Sequence, residues 1–399
     1  MKRYWKTISI CLVTLLVIGT FYIQSSLATS VDIKIEFEKV HGDERELQKL
    51  MLSGDYLVDD PYLFQLLHIT SEETINLTNM SFSQKLSRLG VPLYLEELVK
   101  KHKNFMRSKD FISNYFFEDE NVVAYADIKH SREQNFRFDI EVLTKQTNDK
   151  MSLRLDVPNR DDYGWMQVED VQILDSELKI IARDFHLGNR KNELRVYTFD
   201  MDELKLISND LIASISESEN GWSDVSIVNN SDSMQRQKYY LINIGASEVQ
   251  IVNSDDESNP ITNEFIVYDI ENNQSKKLVA SDEILASIDG TTAIYNSTIY
   301  FIQHTVNGVD AIQYDIENEK WGETLSFDIA DRRDSEEGAF TKILNGKLYT
   351  IHATTSGHTI IISDLETGES LYEGKLKVTN QGEVQKNYQL YIHEIQSIN

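Results

Sequence analysis

The chain has 399 residues, 65 acidic against 39 basic, a formal charge of −26 and a single cysteine. Hydrophobic residues make up 41 %, enough for one sizeable core or two modest ones, which excludes disordered, collagen-like, disulfide-scaffolded and multi-span membrane classes. So large an acidic excess also excludes nucleic acid as a partner, because that affinity comes from cations that neutralise phosphates.

Lys2, Arg3 and Lys6 precede an uncharged apolar run at 8–23, and Ser26 and Ala28 follow at the spacing a signal peptidase reads. The run is short of a comfortable span, but Thr7 and the uncharged stretch 24–30 extend it. Residues 1–28 are therefore expected to be a cleaved signal peptide or an uncleaved membrane anchor. In both cases the basic flank stays inside and 29–399 are exported. Cys11 lies within the apolar run, away from a lipoprotein-type position, so the exported part has no cysteine. Such a chain, rich in Lys, Asn, Asp and Ile, points to a Gram-positive-type bacterial envelope, since eukaryotic secreted domains usually carry disulfides. Without the three leading cations the exported part has 39 − 3 = 36 basic against 65 acidic residues, a charge of −29. Its surface favours cations or cationic partners over anionic lipid.

Residues 31–38 read as one alternating strand, and 72–89 are expected to give further strands. Residues 94–109 read as an amphipathic helix with Leu95, Leu98, Val99, His102, Phe105 and Met106 on its apolar stripe. Its other face holds Lys100, Lys101, Lys103, Arg107 and Lys109. We read that face as solvated, with docking to a membrane surface or partner as the alternative.

From Asn121 onward a two-part unit recurs: an alternating apolar strand, then a strand ending, in most copies, in an aromatic residue, followed in every copy by Asp, an apolar residue and an acid. The second part reads Phe138-Asp139-Ile140-Glu141, Phe199-Asp200-Met201-Asp202, Tyr268-Asp269-Ile270-Glu271, Tyr314-Asp315-Ile316-Glu317 and Ser363-Asp364-Leu365-Glu366. Steps between these aspartates are 61, 69, 46 and 49 residues; the shorter two match a four-stranded blade, the longer two a blade with an extended loop. Each Asp is expected to accept main-chain N–H groups in the turn after its strand.

At these residues the chain resembles the β-propeller superfamily of WD-repeat and quinoprotein-like blades, whose third strand often ends in Tyr-Asp-Leu-x-Thr-Gly. The resemblance covers about residues 119–399 and is structural only, since the Gly-His and Trp-Asp dipeptides of true WD repeats are absent. It implies an all-β fold, a β-propeller of six or seven blades. Its closing blade would be split between lone strands at 31–38 and 387–395, because joining the ends removes an exposed edge. The expected organisation is 1–28 signal or anchor, 29–118 N-terminal strands and helix, and 119–399 propeller.

Motifs for chemistry are mostly missing. No two glycines stand one residue apart, so there is no dinucleotide fingerprint; P-loop, Gly-x-Ser-x-Gly, His-Glu-x-x-His and paired-cysteine motifs are also absent. His130, His186, His304 and His352 close the strands that precede the repeated Asp strands, so equivalent blade positions would set them on one rim, as metal ligands or bases. The simpler reading is a residue with an apolar body and a polar tip at a strand end. Asp255, Asp256 and Glu257 sit in an acidic stretch, read as a solvated loop and only a weak Ca²⁺ candidate, because the EF-hand spacing and glycine are missing. Trp165, Trp222 and Trp321 lie in loop-like surroundings, where they would face a sugar or partner, or pack between blades. No cofactor is expected. The sequence therefore reads as an exported or membrane-anchored binding module, its partner a protein or glycan of the envelope. Alternatives are a propeller hydrolase acting on wall polysaccharide and a membrane-anchored sensor accessory.

Overall fold

The computed structural model describes residues 4–28, 33–58, 64–80, 91–130, 136–218, 221–228, 234–252, 255–281, 284, 291–329, 339–354, 357–379 and 388–398. Trp5–Ala28 forms one helix, with exposed apolar side chains at Trp5, Ile8, Ile10, Leu12, Leu15 and Leu16. Among the described residues no helix is long and apolar enough to cross a membrane.

Nearly everything else is β, in six antiparallel sheets among the described residues. Sheet I joins Tyr388–Ser397, Leu50–Val58, Phe64–Thr70 and Thr74–Asn76. Sheet II joins Phe116–Glu118, Val122–His130, Phe136–Thr144 and Lys150–Asp156. Sheet III joins Tyr163–Leu174, Glu177–His186, Lys191–Asp200 and Lys205–Ser216. Sheet IV joins Gly221–Ile227, Tyr239–Val252, Asp255–Asp269 and Gln274–Lys277. Sheet V joins Thr292–Tyr295, Thr298–His304, Gly308–Asp315 and Lys320–Trp321, with Leu325–Asp328 also on the third strand. Sheet VI joins Phe340–Leu344, Lys347–Thr354, Gly357–Asp364 and Ser370–Val378, with Ile35–Gly42 as a fifth strand. The chain divides into two compact units: Met1–Gly90 with Ile329–Asn399, which holds sheets I and VI, and Val91–Asp328, which holds sheets II to V.

Within the second unit consecutive sheets pack face to face, so the middle strands are apolar on both faces. Ile180, Ala182, Tyr197 and Phe199 of sheet III meet Phe136, Phe138 and Ile140 of sheet II. Phe138 lies edge-on to Tyr197 at 4.9 Å and to Phe199 at 5.1 Å, pairs worth about 0.5–1.5 kcal/mol each beyond the area they bury. Ile181, Leu194 and Val196 cover the other face of sheet III against Val225, Tyr240 and Ile242 of sheet IV. Leu241, Phe265 and Val267 then join Ile299, Phe301 and Tyr314 of sheet V. In the first unit, Tyr56, Leu67 and Ile69 of sheet I pack on Ile351, Ile360, Ile362 and Tyr372 of sheet VI.

The two end strands do not pair with each other; each completes the other end's sheet. Ile35–Gly42 runs antiparallel to Ser370–Val378, from Ile35 opposite Val378 to Gly42 opposite Tyr372. Tyr388–Ser397 runs antiparallel to Leu50–Val58, from Leu50 opposite Ser397 to Val58 opposite Tyr388. Gly42 sits at φ +88°, where a Cβ would fall 2.2 Å from the Leu371 carbonyl oxygen, so this approach of two strands needs glycine.

The repeated aspartates act as expected in four sheets. Asp200 accepts from the N–H groups of Asp202 (2.9 Å) and Glu203 (2.8 Å), and Asp269 from Glu271 (2.9 Å) and Asn272 (3.0 Å). Asp315 accepts from Asn318 (2.9 Å), and Asp364 from Glu366 (3.0 Å) and Thr367 (2.8 Å). Four residues further on, Leu204, Asn273, Glu319 and Gly368 all have positive φ, which reverses the chain into the fourth strand. Asp139 is different: it lies in mid-strand, bonded to Arg154 at 2.9 Å. The equivalent position in sheet II is Thr144, at the end of the third strand, with Asn148 at positive φ. In sheet I the hydroxyl of Thr70 takes the carboxylate's part, accepting from Glu73 at 3.0 Å.

Three further expectations change. The helix at 94–109 is two helices, Leu93–Lys101 and Lys103–Met106, because His102 leaves the helical region at φ −125°, ψ 47°. Leu95, Leu98, Phe105 and Met106 do face sheet II, on Phe116, Val123, Tyr125 and Leu143. The opposite face is largely neutralised: Lys100 and Lys101 pair with Glu96 (3.1 Å) and Glu97 (2.8 Å), while Lys109 is buried against Glu141 with its ammonium 4.3 Å from the Phe105 ring. Strands over 72–89 reduce to Thr74–Asn76 among the described residues, with 81–90 outside them. Asp255, Asp256 and Glu257 stand on a strand opposite Val252, Ile251 and Gln250, not in an open loop.

The corrected repeat is tested by paired alanine substitutions. Asp364→Ala, which removes two main-chain bonds from a turn, is expected to cost about 1–2 kcal/mol in denaturant unfolding. Asp139→Ala, which removes one ion pair with an exposed arginine, is expected to cost less than about 1 kcal/mol.

Candidate functional site

The first strands of sheets III and IV are edge strands and carry a shared motif that periodicity alone passes over. Gly164-Trp165-Met166-Gln167-Val168 and Gly221-Trp222-Ser223-Asp224-Val225 place a tryptophan, a polar residue and a valine at the same offsets. Val168 and Val225 are buried, so strand alternation turns Trp165 with Gln167, and Trp222 with Asp224, to the other face. The indoles are 38 % and 53 % exposed. Each lies over the residue that faces the polar member of its motif. Gln167 is opposite Arg183, whose guanidinium carbon is 5.5 Å from the Trp165 ring centre. Asp224 is opposite Gly245, where a Cβ would lie 3.3 Å from the Trp222 ring.

Arg183 ties the two motifs together. Its Nε donates to Glu169 at 2.9 Å and its Nη1 donates to both Asp224 oxygens, at 3.0 and 2.8 Å. Burial opposes the charge on Arg183, but the two carboxylates outweigh it and raise its pKa; burial lifts Glu169 above the usual carboxylate range. Behind this pair the buried carboxylate of Asp170 accepts from the Tyr240 hydroxyl and from Gln172 Nε2 at 2.9 Å. Gln172 Oε1 accepts in turn from the Gln237 N–H at 3.0 Å. Burial pushes Asp170 up to about 6, while the Tyr240 and Gln172 bonds hold it down. This strut ties sheet III to sheet IV further along the strands from the indoles, since Tyr240 stands seven residues from Ser247, the residue opposite Trp222.

A second acidic group lies on the other face of sheet III. Asp184 and Glu193 are opposite each other in register, 0 % and 3 % exposed, and share Arg195. Arg195 Nε is 2.9 Å from Glu193 and 3.8 Å from Asp184, and neither Asp184 oxygen has a hydrogen-bond partner among the described residues. Burial pushes Asp184 up to about 7 despite the pull of Arg195, with Glu193 adding to the rise. Paired carboxylates are the hardware of glycoside hydrolysis, but a catalytic group must touch its substrate, and Asp184 is sealed.

The four histidines differ in their local surroundings. His130 is exposed and lies against Phe136 at 5.5 Å between ring centres. His186 accepts from the Gly188 N–H at 3.1 Å, and His304 is exposed at the end of its strand. His352 is buried two residues before its strand ends, near His358, whose pKa burial lowers to about 4. Among the described residues no group of three or more His, Cys, Asp or Glu is placed to hold a metal ion. Asp255, Asp256 and Glu257 stand consecutively at the start of one strand. Trp321 departs from the other two tryptophans: its Nε1 donates to the Val279 carbonyl at 3.0 Å and its ring meets Tyr314 edge-on at 4.9 Å. A cavity of about 320 Å³ in the first unit is lined by Arg45, Lys49, Asn345 and Tyr349, with the Glu46–Lys347 ion pair in its wall.

No protein-family model and no curated protein matches the sequence. Among solved structures, a variant of Synechocystis apocarotenoid oxygenase is 7 % identical with a TM-score of 0.44, over 91 % of this chain and 97 % of that one. The polysaccharide lyase Uly1 is 9 % identical with a TM-score of 0.36, over 69 % of this chain and 57 % of that one. A luciferin-regenerating enzyme is 12 % identical with a TM-score of 0.29, over 71 % and 94 %. Likenesses this distant carry no argument about activity.

The buried carboxyl makes stability depend on pH. Asp184 titrates near 3.8 when unfolded and near 7 when folded, so its contribution is complete below about pH 3.8 and is lost as the pH rises through 7. Asp184→Asn keeps the shape and removes the charge. It is expected to match the parent protein at pH 4 and to exceed it by about 2 kcal/mol at pH 8 in denaturant unfolding. A variant that loses stability at pH 8 would show that the carboxylate is ionised and held by Arg195.

Proposed function

We propose that the chain is an extracytoplasmic binding module, exported or anchored through residues 1–28, whose six sheets are the blades of a β-propeller. The two exposed tryptophans at equivalent places on neighbouring edge strands carry the binding reading, because a rigid β scaffold normally buries such side chains. The ring is supported by the number of sheets, the face-to-face stacking of sheets II to V, and the exchange of end strands between sheets I and VI. Export is supported by the basic flank, the apolar run and the small residues at 26 and 28.

The hydrolase reading rests on the Asp184–Glu193 pair, and their burial counts against it. A sensor accessory would need the N-terminal helix to stay uncleaved in the membrane.

The binding reading predicts that the full-length protein, fractionated from a Gram-positive host, is reached by protease added to intact cells. It should also co-sediment with purified envelope material without releasing soluble sugar. Protection from the protease would contradict export. Release of reducing sugar would replace the binding reading with the hydrolase reading, and failure to sediment would contradict binding to the envelope.

A further inference from the structure

We propose that the paired Gly-Trp motifs are a binding site for an uncharged glycan chain, with one sugar ring stacked on Trp165 and another on Trp222. This rests on the binding-module reading and names its ligand.

Both indoles are open to solvent on one side and held on the other, Trp165 by the Arg183 guanidinium and Trp222 by the flat backbone at Gly245. A ring fixed in this way presents an apolar face at little entropic cost, which suits the C–H face of a pyranose. Sheets pack about 10 Å apart, so equivalent side chains on neighbouring sheets suit an extended ligand with repeating rings better than one small molecule. Gln167 and Asp224 stand two residues from the indoles on the same strand faces, as donors and acceptors for ring hydroxyls.

The charges narrow the class. Arg183 is engaged by Glu169 and Asp224, so its one positive charge faces two carboxylates and is not left over for a uronate or a phosphate. The chain's charge of −26 repels polyanions as well. A neutral polyhydroxylated chain remains, recognised by stacking and by hydrogen bonds to side chains already held in place. A basic peptide is the competing ligand that the acidic surface would tolerate, but it would not need two indoles at matching positions on successive sheets.

The test uses full-length protein in a detergent without a sugar headgroup, titrated with soluble neutral hexasaccharides of glucose and of N-acetylglucosamine. Oligogalacturonate and oligolysine serve as charged controls, and binding is read by calorimetry and tryptophan fluorescence. At least one neutral series should bind, with fluorescence change. Trp165→Ala and Trp222→Ala should each weaken that binding about tenfold, Trp→Phe at either position should restore most of it, and the charged controls should not bind. Circular dichroism should match the parent protein, since both side chains are exposed.

If envelope material still sediments with the protein but no neutral oligosaccharide binds, the glycan assignment falls and the binding-module reading stands. If neither binds, both fall. Neutral binding that survives both alanine variants places the site elsewhere, and oligolysine binding lost in those variants makes the ligand a basic peptide; either result overturns the proposal.

Discussion

Main-chain hydrogen bonding at the two chain ends is the constraint on which the first and last sheets depend. A sheet edge leaves a row of unpaired N–H and C=O groups, and a chain of successive sheets would expose one at each end. Here the opening strand Ile35–Gly42 covers the outer edge of Ser370–Val378, and the closing strand Tyr388–Ser397 covers Leu50–Val58. The exchange is fastened beyond the strands themselves, by the Thr379 N–H to the Lys34 carbonyl at 2.8 Å and the Ile398 N–H to the Lys49 carbonyl at 2.8 Å. It converts contacts between residues more than 300 positions apart into ordinary antiparallel ladders, whose cost in loop entropy grows only with the logarithm of length.

The interior of the second unit follows a simpler rule. Sheet III is covered by a sheet on either face, so its strand Glu177–His186 is buried without a break from Leu178 to Ala182, while the outer Lys150–Asp156 and Gln274–Lys277 are largely exposed. The first strand of each sheet is left with one free edge and a partly open face. This is where sheets III and IV place their tryptophans. The Arg183 bridge beside the indoles, and the buried Asp170–Tyr240–Gln172 network further along the strands, hold the two sheets together, so recognition there needs no rearrangement.

Much of the fold was legible because one residue in each repeat has a local physical task. Asp200, Asp269, Asp315 and Asp364 could be read as turn acceptors directly, since a carboxylate after a strand has few other uses. Asp139 misled because the strand Phe136–Thr144 carries a similar string, Phe-Asp-Ile-Glu, five residues before its true end, where Thr144 replaces the acid. Leu50–Val58 escaped notice because Ser53, Gly54 and Asp55 break its apolar pattern; it is Tyr391 and Ile392 of the distant closing strand that fill the space over Gly54. Of the candidate site, Trp165 and Trp222 were visible as residues but their equivalence was not. The signal was present in the shared Gly-Trp-x-x-Val, whereas the Trp321 anchor on Val279 and the Arg183 bridge depend on contacts between strands that no spacing encodes.

The exchange of end strands is tested most directly by amide hydrogen exchange on the full-length protein, read by peptide mass spectrometry. Peptides covering Ile35–Gly42 and Tyr388–Ser397 should be protected as strongly as Lys347–Thr354 and Leu50–Val58, the inner strands of the sheets they complete. Rapid exchange in the two end strands, with the inner strands still protected, would show that the ends are not built into those sheets and would contradict the account.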